Sequence, residues 1–332
     1  MLKQGGQWKE VDWQTALEYV ANGLKNIQRD HGAASIGALV SPHSTVEEAY
    51  LAGSLLRGLG SDNVDHRLRH AEFVAAEGAG GNAPAVRWLG TPIAALSTLQ
   101  NALVVGSNLR KDHPLFALRI RQAVRHGAKL HAITSTAALA HADAWAMPVA
   151  NAVLGDASSW AQTLADVAAA VAEQKGVSTP AAGTAGAQAQ AIAKSLLSGE
   201  RKAILLGNAA AHHAKASSIL ALANWIGAQT GATVGYLTEA ANTVGAQLAG
   251  AVPRGNGLNA GQMLAGGLKA AILLNTEPAF DAARPAAPIG QGGMVVTLSP
   301  FKCNTDISDV LLPIAPFTET PGSFVNAEGR VQ

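Results

Sequence analysis

Residues 106–114, GSNLRKDHP, combine the side chains that bind phosphate with the position from which they can do so. The stretch directly follows a short apolar run. There Ser107, Asn108, the local backbone amides and Arg110 or Lys111 could surround an anion. Asn and Gly at a strand-to-helix turn are equally ordinary turn chemistry, so both readings stand. Two stretches fit a loosened dinucleotide fingerprint: Gly78, Gly80 and Ala83 in GAGGNA, and Gly255, Gly257 and Ala260 in GNGLNA. That fingerprint works only where it joins a strand to a helix and brings pyrophosphate to the helix N-terminus. GAGGNA follows the helical-looking RHAEFVAAE, so a loop is the expectation there. No Walker A or HExxH pattern occurs. His66 and His70 are four apart and His212 and His213 are adjacent, but neither pair has carboxylates or thiols at metal-ligand spacing, so they are expected on surface or loops. Cys303 is expected to be structural rather than a nucleophile.

The bulk composition narrows the classes. A chain of 332 residues is long enough for about two domains, and 48% hydrophobic residues supply a core. Only 14% of residues are charged, against about 25% in a typical domain. A net charge of +1 without a basic stripe and interleaved aromatics gives no case for nucleic acid. With one cysteine the chain cannot form an internal disulfide, nor hold by itself a cysteine-ligated iron–sulfur cluster or zinc site. No run of 18 apolar residues and no signal-like N-terminus is present; the expectation is a soluble, intracellular chain without direct membrane insertion.

The elements that must position these residues follow from periodicity. DWQTALEYVANGLKNIQRDHG (12–32) is a helix with Asp12 as N-cap and Gly32 as its stop, and Thr45 with Glu48 forms a capping box ahead of a second helix. SIGALVS (35–41), LVVGSN (103–108), KLHAITST (129–136) and AWAMPVA (144–150) are expected strands, and HPLFALRIRQAVRHG is helical with Pro114 in its first turn. The order then recurs: KAILLGN (202–208), AILLNT (271–276), VVTLSP (295–300) and DVLLPIA stand 164 to 168 residues after their counterparts. GVSTPAAGTAGAQAQ (176–190) is an expected loop. The pattern predicts an α/β fold of two similar Rossmann-like units with mostly parallel sheets, 1–155 and 156–332, with ligands beyond the carboxyl ends of the strands. The final GSFVNAEGRVQ is a strand and turn followed by a return strand of three residues. That is shorter than a hairpin needs, so the chain is expected to be a piece of a longer polypeptide with Met1 as an added start.

Several segments, in this order, resemble the molybdopterin oxidoreductase superfamily, the fold of formate dehydrogenases and DMSO reductases: WKEVDWQTAL (8–17), GSDNVDHRLR (60–69), NALVVGSNLRKDHPLFALRIRQAVRHGAKL (101–130), PRGNGLNAG (253–261) and PGSFVNAEGRVQ. The resemblance implies two α/β domains around a bis-pterin guanine dinucleotide. It places the family's metal ligand, a Cys, selenocysteine or Ser shortly after an Arg, at or beside Ala71, following Arg69. No Cys or Ser lies between Asp62 and Gly90, so the metal is expected to be absent. The branch that fits is the large peripheral-arm subunit of bacterial NADH:quinone oxidoreductase (complex I), with VVGSNLRKDHPLFALRIRQA and ILLNTEP as the likeness. This implies electron transfer from NADH to quinone by the parent complex at the cytoplasmic side of the inner membrane, with other peripheral-arm subunits as partners. It also implies iron–sulfur clusters in a cysteine-rich N-terminal region, no redox centre here and no catalytic residues. A retained cleft for pterin or nucleotide is the alternative, with Arg69, Ser107, Asn108 and Asn259 as its contacts.

Overall fold

A computed structural model describes residues 1–73, 85–141 and 144–332. GAGGNA lies outside them. The chain forms two compact units that are not its two halves: Met1–Val86 with Ala240–Gln332, and Arg87–Glu239. The expected boundary at 155 is therefore corrected, and the second unit is an insertion into the first.

The first unit opens with strands β1 (Leu2–Gln4) and β2 (Gln7–Lys9), helix α1 (Trp13–His31), β3 (Ile36–Val40), α2 (Val46–Gly58) and β4 (Val64–Asp65). The second contains β5 (Asn101–Val105), α3 (Leu109–Asp112), α4 (Pro114–Arg125), β6 (Lys129–Thr134), β7 (Asn151–Leu154), α5 (Trp160–Lys175), α6 (Ala187–Leu196), β8 (Lys202–Leu206), α7 (Asn208–Ala211), α8 (Ala216–Thr230) and β9 (Thr233–Tyr236). The chain then completes the first unit with α9 (Thr243–Leu248), α10 (Ala260–Leu264), β10 (Ala270–Leu274), α11 (Pro278–Asp281), β11 (Met294–Ser299) and β12 (Val310–Pro313).

Local signals act as their chemistry requires. Asp12 accepts the Thr15 N–H at 2.7 Å, and Gly32 ends α1 at φ 81°. The Thr45–Glu48 capping box closes in both directions, at 3.1 and 2.8 Å. In the first unit the sheet order is β2-β1-β12-β11-β10-β3-β4, parallel except for β1 and β2. In the second it is β7-β6-β5-β8-β9, parallel throughout. The central strands are buried at every position, with side chains alternating between faces. Thus Ile36, Ala38 and Val40 pack toward α1 and α2, while Leu39 packs with Met263 and Leu264 of α10.

The two orders superpose term by term: β12, β11, β10, β3 and β4 match β7, β6, β5, β8 and β9. The repeat seen in the sequence is thus present, but its members are exchanged. β3 pairs with β10 and β5 with β8, so each sheet takes strands from both halves of the chain. AWAMPVA is not a strand. Ala146 has φ 54°, which breaks an extended backbone, and the buried Trp145 donates its indole N–H to the Ala138 carbonyl at 2.9 Å. The strand beside β6 starts only at Asn151. The expected loop at 176–190 ends where α6 begins, at Ala187. The terminal hairpin is formed: Val325 bridges Val331, and Phe324 and Gln332 exchange backbone hydrogen bonds at 3.0 and 2.8 Å.

The free side of β9 is covered by residues 88–90, and Tyr236 N–H donates to the Trp88 carbonyl at 2.7 Å. A Cβ at Gly235 would fall 1.7 Å from the Leu89 carbonyl oxygen, so only glycine allows this approach. Gly235→Ala is expected to cost about 1–3 kcal/mol through overpacking, measured by denaturant unfolding. A loss under about 0.5 kcal/mol would show that the approach is not tight.

Candidate functional site

In the first unit, β4 ends at Asp65, and the chain continues through Arg67, Arg69 and Ala71 toward α10. Asp65 and Arg67 form a fully buried ion pair. Asp65 Oδ1 accepts Arg67 Nε at 2.9 Å together with the backbone N–H groups of His66 and Arg67, and Oδ2 accepts Arg67 Nη2 and Ala260 N–H, both at 2.9 Å. Burial opposes the charge on Asp65, but the Arg67 guanidinium and these donors outweigh it and hold the carboxyl below its ordinary value. The guanidinium also lies 5.1 Å over the Phe73 ring.

Beside this pair is a cavity of about 320 Å³, lined among others by His70, Ala71, Phe73, Asn259, Gln262 and Arg284. Two expected site residues, Ala71 and Asn259, therefore share one cavity. Asn259 caps α10 there: its side chain accepts Gln262 N–H at 3.0 Å, and Gln262 Oε1 accepts Asn259 N–H at 3.0 Å. GNGLNA thus enters a helix of five residues from a loop rather than from a strand, and its pyrophosphate role is not built. Arg69 points to Asp281, with 2.7 Å between Nη2 and Oδ1.

In the second unit the strand-end stretch is also self-occupied. Asp112 Oδ2 accepts Asn108 N–H at 2.8 Å and the Ser107 hydroxyl at 3.4 Å, and the Ser107 carbonyl accepts Thr134 Oγ1 at 3.0 Å. The first unit repeats the device at the corresponding strand, where Asp281 Oδ2 accepts Glu277 N–H at 2.9 Å. The amide that would receive a phosphate is, at both places, bound to an aspartate four residues further on.

Some polar groups escape sequence reasoning. His66 and His70 lie in the loop after β4, as expected, but are buried rather than on the surface, at 2% and 4% exposure. At the carboxyl ends of β8 and β9, His212 Nε2 lies 2.7 Å from Glu239 Oε2, and Arg87 stacks 5.2 Å over Tyr236, whose hydroxyl is raised in pKa by burial. His213 Nδ1 accepts Lys215 N–H, so its Nε2 carries the proton donated to the Ala157 carbonyl at 2.8 Å. No local spacing announces His212 with Glu239, because 26 residues separate them. Cys303 is half-buried in the loop after β11.

Among the described residues, Ala71, at or beside the expected ligand position, has no donor atom, and an anion arriving at the Ala260 or Glu277 amide would meet a carboxylate already bound there.

Parallel sheets with helices on their faces, and strand-end loops where the strand order reverses, define doubly wound α/β units. A family model for molybdopterin oxidoreductases matches residues 1–332, and the chain belongs to that family. Putative formate dehydrogenases of Staphylococcus aureus and Staphylococcus haemolyticus are each 30% identical to it, over 139 and 158 residues. These matches cover 40% and 45% of the chain, which spans only 13% and 15% of those relatives. Among solved structures, a chain of the formyltransferase/hydrolase complex of Methylorubrum extorquens, in complex with methylofuran, aligns over 100% of this chain and 91% of its own length, with a TM-score of 0.68 at 17% identity. Acetylene hydratase of Pelobacter acetylenicus aligns over 99% of this chain and 55% of its own, with a TM-score of 0.53 at 13% identity. No helix among the described residues is long and apolar enough to cross a membrane.

Proposed function

We propose that this chain is a structural body of molybdopterin oxidoreductase fold that holds no redox centre of its own, within the large peripheral-arm subunit of NADH:quinone oxidoreductase. The observation that carries the reading is Ala71: at or beside the position to which the resemblance assigns the family's metal ligand, in the cavity capped by Asn259, the side chain is a methyl group. The aspartates bound to the strand-end amides favour the same reading, since they neutralise the positions that would hold cofactor phosphate. VVGSNLRKDHPLFALRIRQA and ILLNTEP carry the likeness to the quinone-reducing complex. In that setting the parent subunit bears its iron–sulfur clusters elsewhere, lies peripherally on the cytoplasmic side of the membrane, and uses this region to support neighbouring subunits.

Two measurements test it separately. The purified full-length subunit is analysed for molybdenum, tungsten and oxidatively released pterin; all are expected well below one per chain, and a pterin guanine dinucleotide near one per chain overturns the scaffold. This second outcome would favour a pterin enzyme of the kind its putative formate dehydrogenase relatives are named for. Membranes from a host lacking the gene are expected to lose NADH:quinone oxidoreductase activity while keeping formate oxidation. Retained NADH oxidation with lost formate oxidation overturns the assignment to that complex.

A further inference from the structure

Residues 110–129 contain six lysines and arginines and a single acidic residue, Asp112, in a chain whose net charge is +1. The Asp112 carboxylate is already bound to its own turn. Arg110, Lys111, Arg119, Arg121 and Arg125 are exposed, and none makes an ion pair or side-chain hydrogen bond among the described residues. Helix α4 buries Ala117, Ile120 and Ala123 against the second unit, and the segment packed beside it, Ile93–Thr98, has no charged residue to answer these cations.

The outward face of α4 is patterned as well as charged. Leu115, Leu118 and Gln122 recur at spacings of three and four and so share one stripe. Leu115 is 74% exposed and Leu118 52%. Arg119 flanks the stripe on one side, Arg121 and Arg125 on the other. An apolar centre with a rim of guanidinium groups is the anatomy of a protein interface, where arginine is enriched and lysine depleted.

We propose that this face of α4 docks an acidic segment of a partner protein, with Leu115 and Leu118 as apolar anchors and Arg119, Arg121 and Arg125 pairing with its carboxylates. A second copy of this chain is disfavoured, because a symmetric contact would set the same cations against one another. A membrane-lying helix needs a broad apolar face, and the broad face of α4 is spent on the unit's own core. A single-stranded nucleic acid would find no aromatic stacking platform among these outward residues. The inference does not depend on which complex the chain serves, only on its having a protein partner.

The test is photocross-linking of the full-length chain in its host, with Leu118→p-benzoylphenylalanine as the probe. The expected result is an adduct whose partner peptide carries an acidic excess. It should fall at least tenfold in extracts at about 1 M salt, where the Debye length is about 3 Å, and in the triple variant Arg119→Glu, Arg121→Glu, Arg125→Glu. Thermal unfolding of that variant is expected to match wild type, and lysines placed at the identified partner acids should restore its adduct. No protein adduct, an adduct to a second copy or to phospholipid, a partner peptide without acidic excess, or an adduct that survives charge reversal overturns the proposal.

Discussion

Asp65→Ala is expected to lower stability by about 3–5 kcal/mol, the cost of leaving a buried charge without its partner. Arg67 has no route to water, since both side chains of the pair are 0% exposed. The same substitution also frees the Ala260 N–H, which Asp65 holds at 2.9 Å, so α10 and the loop before it lose their tie to β4. Faster amide exchange around residues 258–264 should therefore accompany the loss. Replacing both partners by apolar residues, Asp65→Leu with Arg67→Met, is expected to recover only the part of the deficit due to the stranded Arg67 charge, because the backbone N–H groups of His66, Arg67 and Ala260 still lose their acceptor. A double-mutant cycle in denaturant separates these contributions. A loss under 1 kcal/mol for Asp65→Ala would mean that the pair is not buried in solution. Acid gives an independent view. The folded Asp65 carboxyl is held below its ordinary value, so its contribution is present above the unfolded pKa and is lost as pH falls through the folded one.

What could be seen in advance was what depends on neighbours along the chain. The Asp12 cap, the Thr45–Glu48 box and the buried strands are settled by residues within a few positions, and they appear where expected. AWAMPVA misled because an apolar run with an aromatic is what a strand or a buried turn both need; the left-handed Ala146 decides between them. The unit boundary was hidden for another reason. Parallel strands are joined by long crossovers, so no local turn says whether β3 pairs with a strand nearby or with β10, more than 200 residues away. The self-occupied amides were half legible. Asp112 and Asp281 each stand four residues after the N–H they accept, whereas Asp65 reaches Ala260 across 195 residues. Ala71 was legible only as a departure from a pattern; its place in a cavity with Asn259 needed the fold.

Stability is expected to fall as pH drops from about 6.5 to about 4, ahead of any carboxylate effect, because two histidines are buried in neutral form. Burial lowers His113 and His131 from 6.5 to about 4 each; Asp112 opposes the shift at His113, and Lys129 adds to it at His131. The sign follows from proton uptake. Between those values the unfolded chain binds protons that the folded chain refuses, so stability rises with pH across the window and is complete above 6.5. A separation of this size amounts to roughly 3 kcal/mol per histidine. The hydrogen bonding at His131 agrees with a neutral ring. Its Nδ1 lies 3.1 Å from Asn151 Nδ2 and accepts that amide's proton, leaving the other proton on Nε2, which has no partner among the described residues. Protonating Nδ1 would set two donors face to face on adjacent strands β6 and β7 unless the Asn151 amide turned its oxygen to the ring. His113 Nε2 is likewise without a partner, at the α3–α4 junction, with its ring stacked 5.9 Å from Phe116. His131→Gln is expected to flatten the pH profile of unfolding by about half, even where it lowers stability at pH 7. Urea titrations at half-unit steps between pH 4 and 7 measure it. An unchanged slope in that variant would mean that His131 is solvated in the folded protein, and that the acid sensitivity has another source.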